Sequence, residues 1–428
     1  MANKTKYSAD ELATLRALSS ARLQQRNAAE PLQSSLRTEQ GQEQEQQQHG
    51  QEEHASGSAF AALAAGRAPM PLALRDIEVA CGGFRSEQHI GSGGTAVVYL
   101  AQTHGERYAV KLLRSDGSHE RSIASKEVAL LAMCHHPNVQ RCLAFCLGPK
   151  LCIIYPALYG TVRDRVITTT RGMQLLDRAQ FVDDAKERLA RLGVSQPSAP
   201  LPWHYRLRVV RDVSAALLYL HAADARTGKP SIIHSDLTSE NVLLAEDGRA
   251  VLHDMGYSKL FVKAHARAGE ADLSPVLVEC GNGALAKQLR LDSEPLRVRM
   301  AHGEDDGGAD AMGVGFILME LATSWTGPEL TGPVEYNGKR LKSHRASCEA
   351  VAQVAKGYPD APEKDQRSGL MPLPGLDPDA QWPLEIAHST VPSLLSALNS
   401  FQALTKPAEV LKGAVRTIDA AIRTSSST

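Results

Sequence analysis

Hydrophobic residues in the first part of the globular sequence alternate with polar ones, a pattern that is typical of β-strands. Turn residues such as Gly105 separate these short segments, and one longer segment among them has helical periodicity. The predicted strands are Phe84–Ile90, Ala96–Gln102, Arg107–Arg114, Ala144–Leu147 and Leu151–Tyr155, and the predicted helix is Ser118–Cys134. The chain is therefore expected to build a small, strand-rich domain first.

Helical periodicity dominates the sequence that follows. Trp203–His221 is predicted to be a long helix. Its arginines at positions 206, 208 and 211 are interpreted as a solvated face of that helix. Leu175–Gly193 also has helical periodicity, within a longer stretch of mixed charge (residues 167–202) that is either a regulatory or partner surface or an inert insertion. The apolar residues on one face of Trp203–His221 are Leu207, Val210, Val213, Leu217 and Leu220.

The first 70 residues have a different composition from the rest of the chain. Glu39–Glu53 is rich in Gln and Glu and offers no apolar area to offset the entropy of ordering, so residues 1–70 are expected to form a disordered tail. Ser8 and Glu11 form a capping-box pattern before a leucine-containing helical face. That short helix is either a docking element for a partner or a transient helix, and the transient helix is favoured.

Overall composition excludes several classes of protein. The formal net charge of −1 and the aromatic content of 5% argue against nucleic acid as a partner. No apolar run approaches the ~20 residues of a transmembrane helix, and no apolar signal-peptide core is present, so a cytoplasmic location is expected, with nuclear or organellar placement left open. The seven cysteines contain no C-x-x-C pair, which favours buried free thiols over a zinc site.

The candidate chemistry lies in two short motifs, HSDLTSENVLL and HDMG. They place Asp236, Asn241 and Asp254 at fixed intervals. Transfer of a phosphoryl group needs an acceptor hydroxyl that is oriented by a base, and metal ions that neutralise the phosphate charge. One carboxylate base and two oxygen ligands meet that need.

These motifs resemble the catalytic loop and the metal-binding loop of protein kinases. IGSGGTAVVYLA resembles the glycine-rich loop of that family, YAVK resembles the strand that ends at its phosphate-binding lysine, and KEVALLAMCHHPNV resembles its αC helix. DAMGVGFILMEL resembles its buried αF helix. The family order and spacing are kept, and the L-T-S-x-N arrangement looks closest to the tyrosine-kinase-like group of serine/threonine kinases.

The resemblance implies a bilobal α+β fold over residues 74–424. Its small lobe (74–155) would be a five-stranded antiparallel sheet with the αC helix, and its larger, mainly helical lobe (159–424) would contain the insertion 167–202. It also implies ATP and Mg²⁺ as cofactors, with Asp236 as catalytic base, Lys111 and Glu127 as a phosphate-positioning pair, and Asn241 and Asp254 as magnesium ligands. The implied nucleotide-binding residues are Ile90, Gly91, Ser92, Gly93, Val98, Ala109, Lys111, Leu158 and Leu243.

Some family positions carry other residues. Ser235 replaces the catalytic-loop arginine that pairs with a phosphorylated activation segment, so we expect no switch of that kind. Gln288 and Lys406 replace the glutamate and arginine of a buried pair, which leaves a Gln–Lys hydrogen bond or a substitute partner such as Glu294. The sequence favours an ATP-dependent serine/threonine kinase acting on a protein hydroxyl; the alternative is a kinase-like scaffold that binds nucleotide or protein without phosphotransfer.

Overall fold

The computed structural model of the chain describes Phe60, Leu63 and residues 68–176, 179–261, 270–291, 296–301, 307–326, 334–336, 339–341, 344–357 and 375–425. The predicted helix near Ser8, the Gln/Glu-rich segment 39–53 and Glu294 lie outside these residues. No helix among them is long and apolar enough to cross a membrane.

The small lobe is a twisted sheet with strand order β1-β5-β6-β4-β3-β2. Five strands are antiparallel, as predicted, and the short strand β1 adds a parallel sixth against β5. The elements of this lobe are β1 (Met70–Pro71), α1 (Leu74–Ala80), β2 (His89–Ser92), β3 (Ala96–Thr103), β4 (Glu106–Leu113), α2 (Ser118–Ala132), β5 (Ala144–Leu147) and β6 (Leu151–Pro156). The predicted strand Phe84–Ile90 is wrong in its first half, because Phe84 has a left-handed φ of 58° and Ser86–Gln88 forms a 3-10 turn.

Both faces of this sheet are covered. Ile153 and Tyr155 of β6 pack on the face toward α2, whereas Cys152 and Ile154 point to a second apolar cluster on the opposite face. Phe60 of the predicted tail belongs to that second cluster, together with Leu63, Leu72 and Ile77. Apolar residues upstream of Leu74, where the small lobe is predicted to start, are therefore buried in this cluster.

The large lobe is built on two central helices, α6 (Trp203–His221) and α9 (Gly308–Thr323). Helix α13 (Pro407–Ser425) packs against α6. Helix α6 has the bounds that the periodicity predicts, because its apolar stripe is buried along its whole length. The elements of this lobe up to the catalytic segment are α3 (Val162–Ile167), α4 (Thr170–Leu175), α5 (Ala179–Arg191), α6 (Trp203–His221), β7 (Ser231–Ile233), β8 (Val242–Leu244), β9 (Ala250–Leu252) and β10 (Lys259–Phe261). Those that follow are β11 (Glu270–Asp272), α7 (Ser274–Glu279), α8 (Gly283–Gln288), β12 (Arg297–Ala301), α9 (Gly308–Thr323), β13 (Val334–Tyr336), β14 (Lys339–Leu341), α10 (His344–Gly357), α11 (Val391–Leu398), α12 (Phe401–Thr405) and α13 (Pro407–Ser425).

Residues 270–291 and 296–301, which include Gln288, pack onto the large lobe. Strand β12 pairs in parallel with β10, and β11 pairs antiparallel with β12, so the sheet has the order β11-β12-β10-β7. Gln288 ends α8, and the Lys406 ammonium lies 3.7 Å from the exposed carboxylate of Glu409. The predicted Gln288–Lys406 hydrogen bond is therefore wrong: both residues are described, and Lys406 pairs with Glu409 instead.

Arg206 corrects the solvated-face interpretation of α6. Its side chain is fully buried and forms an ion pair with Asp377, which is 171 residues away and equally buried. The guanidinium also donates to the carbonyl oxygens of Leu201 and Leu321 and to the Ser324 hydroxyl. A fully bonded guanidinium can stay charged in a core, and the partner that makes this possible is remote in sequence.

We expect Arg206→Ala to lower the free energy of unfolding by about 3–5 kcal/mol, because it leaves the Asp377 carboxylate buried without its charge partner. Urea unfolding of Arg206→Ala and Asp377→Ala measures this loss. The matched control is Arg208→Ala, two positions along the same helix at a partly exposed site. Equal, small losses in all three variants would contradict a structural role for the pair.

The packing of Phe60 predicts different effects for two N-terminal deletions. Its ring lies 5.1 Å from the Tyr108 ring, and the Tyr108 hydroxyl donates to its carbonyl oxygen. Deleting residues 1–70 should therefore lower the thermal midpoint clearly, since losing one buried Phe costs about 3–5 kcal/mol. Deleting residues 1–59 removes the Gln/Glu-rich segment but keeps Phe60, and should leave the midpoint nearly unchanged. Scanning calorimetry of both variants decides the point; equal midpoints would contradict the role of Phe60 and Leu63.

Candidate active site

A cavity of about 590 Å³ lies between the two lobes and collects most of the predicted site residues. Strands β2, β3 and β4 form its roof, and the segment after β6 together with β8 and the HDMG motif forms its back and floor. The predicted residues that line it are Ile90, Gly91, Ser92, Gly93, Val98, Ala109, Lys111, Leu158, Leu243, Asn241 and Asp254. A second cavity, of about 860 Å³, lies beside α2 and contains none of the predicted site residues.

A buried carboxylate from α9 holds the loop that carries Asp236. The backbone N–H groups of His234 and Ser235 donate to the Asp310 carboxylate at 2.8 and 2.9 Å, and His221 Nε2 lies 2.9 Å from the same group. Burial would raise the pKa of Asp310, but the His221 hydrogen bond and nearby imidazoles outweigh it and lower that pKa. Ser235 has a φ of 67°, so the loop turns sharply just before Asp236.

Asn241 connects directly to Asp236. Its amide nitrogen donates to the Asp236 carbonyl oxygen at 2.8 Å and to the carboxylate at 3.1 Å. This leaves the amide oxygen of Asn241 pointing elsewhere, and the residue lines the cavity. The structure thus brings together two residues that the motif spacing alone had suggested.

Lys111 lies between two carboxylates. Its ammonium is 2.8 Å from Glu127 on α2 and 3.1 Å from Asp254 in the large lobe. Burial would lower the pKa of Lys111, but the two carboxylates outweigh it and the pKa lies above its ordinary value. Burial would raise the pKa of Asp254, but the Lys111 charge and the other interactions outweigh it and lower that pKa to about 2. Both groups are therefore charged at neutral pH.

Tyr155 adds a contact that sequence reasoning did not foresee. Its hydroxyl donates to the second carboxylate oxygen of Glu127 at 2.6 Å. Glu127 is almost wholly buried, and each of its oxygens therefore has a partner, Lys111 on one side and Tyr155 on the other. A side chain that lines the back of the cavity thus fixes the orientation of α2.

The segment after β6 limits which backbone groups a ligand can use. The Ala157 N–H donates to the Arg107 carbonyl oxygen, and the Tyr159 N–H donates to that of Leu244. Pro156 has no N–H, and its carbonyl oxygen accepts from the Gln140 side chain at 3.0 Å. The N–H of Leu158, a residue that lines the cavity, is therefore the donor in this segment that could serve a ligand.

The insertion contributes a wall of the cavity, which the sequence did not indicate. Helix α5 of the stretch 167–202 brings a set of polar and aromatic residues to the cavity mouth. They are Phe181, Asp184, Glu187, Arg188 and Arg191. Only the helical periodicity was visible beforehand, and periodicity does not say against which surface a helix packs.

The oxygen atoms at the cavity floor fit a hard divalent cation. The carboxylate of Asp254 is ionised, and the Asn241 amide presents its oxygen once its nitrogen is bonded to Asp236. A few protein oxygens combined with ligand phosphates are the usual environment of Mg²⁺. Asp254 also has a left-handed φ of 65°, so its carboxylate is held in position by the backbone turn.

The Tyr155–Glu127 contact predicts a measurable loss of stability. Tyr155→Phe removes the hydroxyl and leaves one oxygen of a buried carboxylate without its donor, which should cost about 1–3 kcal/mol. Denaturant unfolding measures the loss. Tyr257→Phe is the matched control because Tyr257 is exposed, and it should change little. A Tyr155→Phe variant as stable as the control would show that Glu127 does not depend on this hydroxyl.

Comparison with known proteins agrees with this geometry. Residues 84–275 match the protein kinase domain family. Relatives include U-box domain-containing protein 51 of Arabidopsis thaliana, 26% identical over 71% of this chain and 33% of that protein. LysM domain receptor-like kinase 10 of Oryza sativa subsp. japonica is 30% identical over 42% of this chain and 24% of its own length. Serine/threonine-protein kinase CDG1 of Arabidopsis thaliana is 26% identical over 44% of this chain and 38% of its own length.

The matched part covers about a quarter to two fifths of each of these relatives. It contains the glycine-rich strand, Lys111, Glu127, the Asp236 loop and Asp254, which are the residues that the cleft brings together. The two lobes, the glutamate on a helix paired to a lysine on a strand, and this match together identify a protein kinase domain over residues 84–275.

Proposed function

We propose that the chain is an ATP-dependent serine/threonine protein kinase with Asp236 as its catalytic base. The observation that supports it most is the set of polar contacts between the two lobes at the cleft, in which Lys111 is paired with Glu127 and Asp254 while Asn241 is bonded to Asp236. Loss of chemistry in a kinase fold would most directly remove one of these groups, and all are present. The specificity for serine and threonine is supported by the LTSEN sequence after Asp236 and by relatives named as serine/threonine kinases.

Each group has a task that its surroundings suit. Asp236 would accept the proton of the substrate hydroxyl, and its hydrogen bond to Asn241 would hold the carboxylate in place. Lys111 would position the nucleotide phosphates. Asn241 and Asp254 would hold Mg²⁺, which when bound neutralises charge on the phosphates. Ile90, Val98, Ala109 and Leu243 would enclose the adenine ring, and the Leu158 N–H would orient it.

Activity is proposed to be independent of a phosphate at the catalytic loop. Ser235 offers no charge to pair with one, and a neutral hydroxyl bonds a phosphate more weakly than arginine. Two serines of the segment after HDMG, Ser258 and Ser274, are the candidate phosphosites. Ser258 is buried and its hydroxyl donates to the His234 carbonyl oxygen. The hydroxyl of Ser274, at the start of α7, donates to Asp272. Neither arrangement requires a phosphate to be ordered.

The cytoplasm is proposed as the compartment. All seven cysteines are free thiols, and six of them are buried. Burial raises the pKa of several, that of Cys81 and Cys152 to about 12 for example, which keeps them protonated and unreactive. Free thiols of this kind suit a reducing environment.

The proposed role of Asp236 predicts a specific mutant. Asp236→Asn should reduce phosphotransfer by about 10²–10⁴-fold, the contribution of a general base, while leaving Mg²⁺–ATP binding close to wild type. Transfer of radiolabelled phosphate to casein measures the first quantity and titration calorimetry the second. Phosphoamino acid analysis of the product tests serine/threonine specificity.

The matched control is Asp247→Asn, an exposed aspartate in the turn between β8 and β9, which should keep full activity. Equal activity of Asp236→Asn and wild type would contradict the assignment of the base. Wild-type protein that binds Mg²⁺–ATP but labels no acceptor would instead support the alternative, a scaffold without phosphotransfer.

A further inference from the structure

Helix α5 of the insertion contacts both lobes at the mouth of the cleft. Its last turn reaches the small lobe, where Arg191 donates through Nη1 to the carbonyl oxygens of Ser86 and His89. His89 begins β2, the strand that continues into the glycine-rich turn at Gly91. A single guanidinium from the large lobe therefore bonds the backbone of the strand that forms the cavity roof.

The guanidinium of Arg191 is oriented for this contact. Its Nη2 pairs with Glu187, one helical turn earlier, and the side chain is only 26% exposed. Such an i, i+4 pair limits the rotamers of the arginine. The two carbonyl oxygens and the carboxylate thus use both ends of one planar group, which lysine cannot reproduce with the same geometry.

A second contact ties the end of α5 to the small lobe. Arg107 on β4 donates to the Leu192 carbonyl oxygen at 2.7 Å, and its guanidinium stacks on the Tyr159 ring at 4.7 Å. Gly193 follows with a φ of 83°, and a Cβ there would lie 3.2 Å from the Arg107 guanidinium. The chain after α5 is therefore shaped to receive Arg107.

The same helix is anchored firmly in the large lobe. Arg188 pairs with Asp164 on α3 at 2.6 Å. Leu189 is fully buried against Gly160, where a Cβ would approach its side chain to 2.4 Å. Val182 and Ala185 are buried in a cluster with Ile167. Because α5 is anchored in the large lobe, the Arg191 contact restrains β2 and does not merely position α5.

We infer that α5 is a strap across the cleft and that Arg191 is a positioning residue, which sets the height of the glycine-rich strand over the bound nucleotide. The consequence for nucleotide exchange rests on the proposed function. Exchange of nucleotide in a two-lobed enzyme requires the roof of the cleft to move. A bond from the large lobe to β2 resists that motion, so the strap should slow nucleotide release.

The direct test compares wild type with Arg191→Ala, Arg191→Lys and the control Arg416→Ala, an exposed arginine on α13. Hydrogen–deuterium exchange without nucleotide should increase in residues 86–98 of Arg191→Ala, with the large lobe unchanged. Arg191→Lys should be intermediate, and Arg416→Ala should match wild type. An unchanged exchange pattern in residues 86–98, or an increase spread evenly over both lobes, would overturn the strap.

Stopped-flow release of a fluorescent ATP analogue with Mg²⁺ tests the consequence. Arg191→Ala should release it about fivefold faster, the factor that corresponds to one partly exposed hydrogen bond, and KM for ATP should rise without a fall in kcat. A fall in kcat at constant KM would overturn the positioning role. The hydrogen–deuterium exchange measurement needs neither ATP nor catalysis, so it tests whether the strap exists even in a protein that transfers no phosphate.

Discussion

The ammonium of Lys111 is the charge on which the site depends, because it neutralises two carboxylates from different parts of the molecule. Glu127 comes from the helix of the small lobe, and Asp254 comes from the large lobe. If that positive charge were absent, two negative groups would face each other in a poorly solvated cleft. These two contacts therefore hold α2 against the sheet and also hold the HDMG turn in place. The Tyr155 hydroxyl donates to the remaining carboxylate oxygen of Glu127.

The position of the loop that carries Asp236 depends on a separate buried anion. Asp310 lies on the central helix α9 and accepts hydrogen bonds from the N–H groups of His234 and Ser235, so the core of the large lobe fixes the loop. Arg206 and Asp377 likewise fix a junction within the large lobe, where α6, the end of α9 and the segment before α11 meet. These contacts are charged, buried and saturated with hydrogen bonds, which makes them specific in geometry as well as stabilising.

The insertion between α3 and α6 changes how the two lobes are connected. In addition to the segment after β6, α5 provides a second link, through Arg191 to β2 and through Arg107 to the chain after α5. A cleft with links at its back and at its mouth opens less freely than one joined only at its back.

The sequence by itself determined the candidate site residues and most of the elements. Asp236, Asn241 and Asp254 lie within one short stretch, so their spacing is a local property. The alternation in the strands and the apolar stripe of α6 predicted where these elements lie, because each pattern repeats within a few residues. The tertiary structure decided what depends on remote partners: that Arg206 is buried, since Asp377 lies 171 residues away, that Phe60 joins the small-lobe core, and that α5 contacts β2. A periodic pattern shows that a helix has an apolar face, whereas the surface it meets and the charges it pairs with are set by the folded chain as a whole.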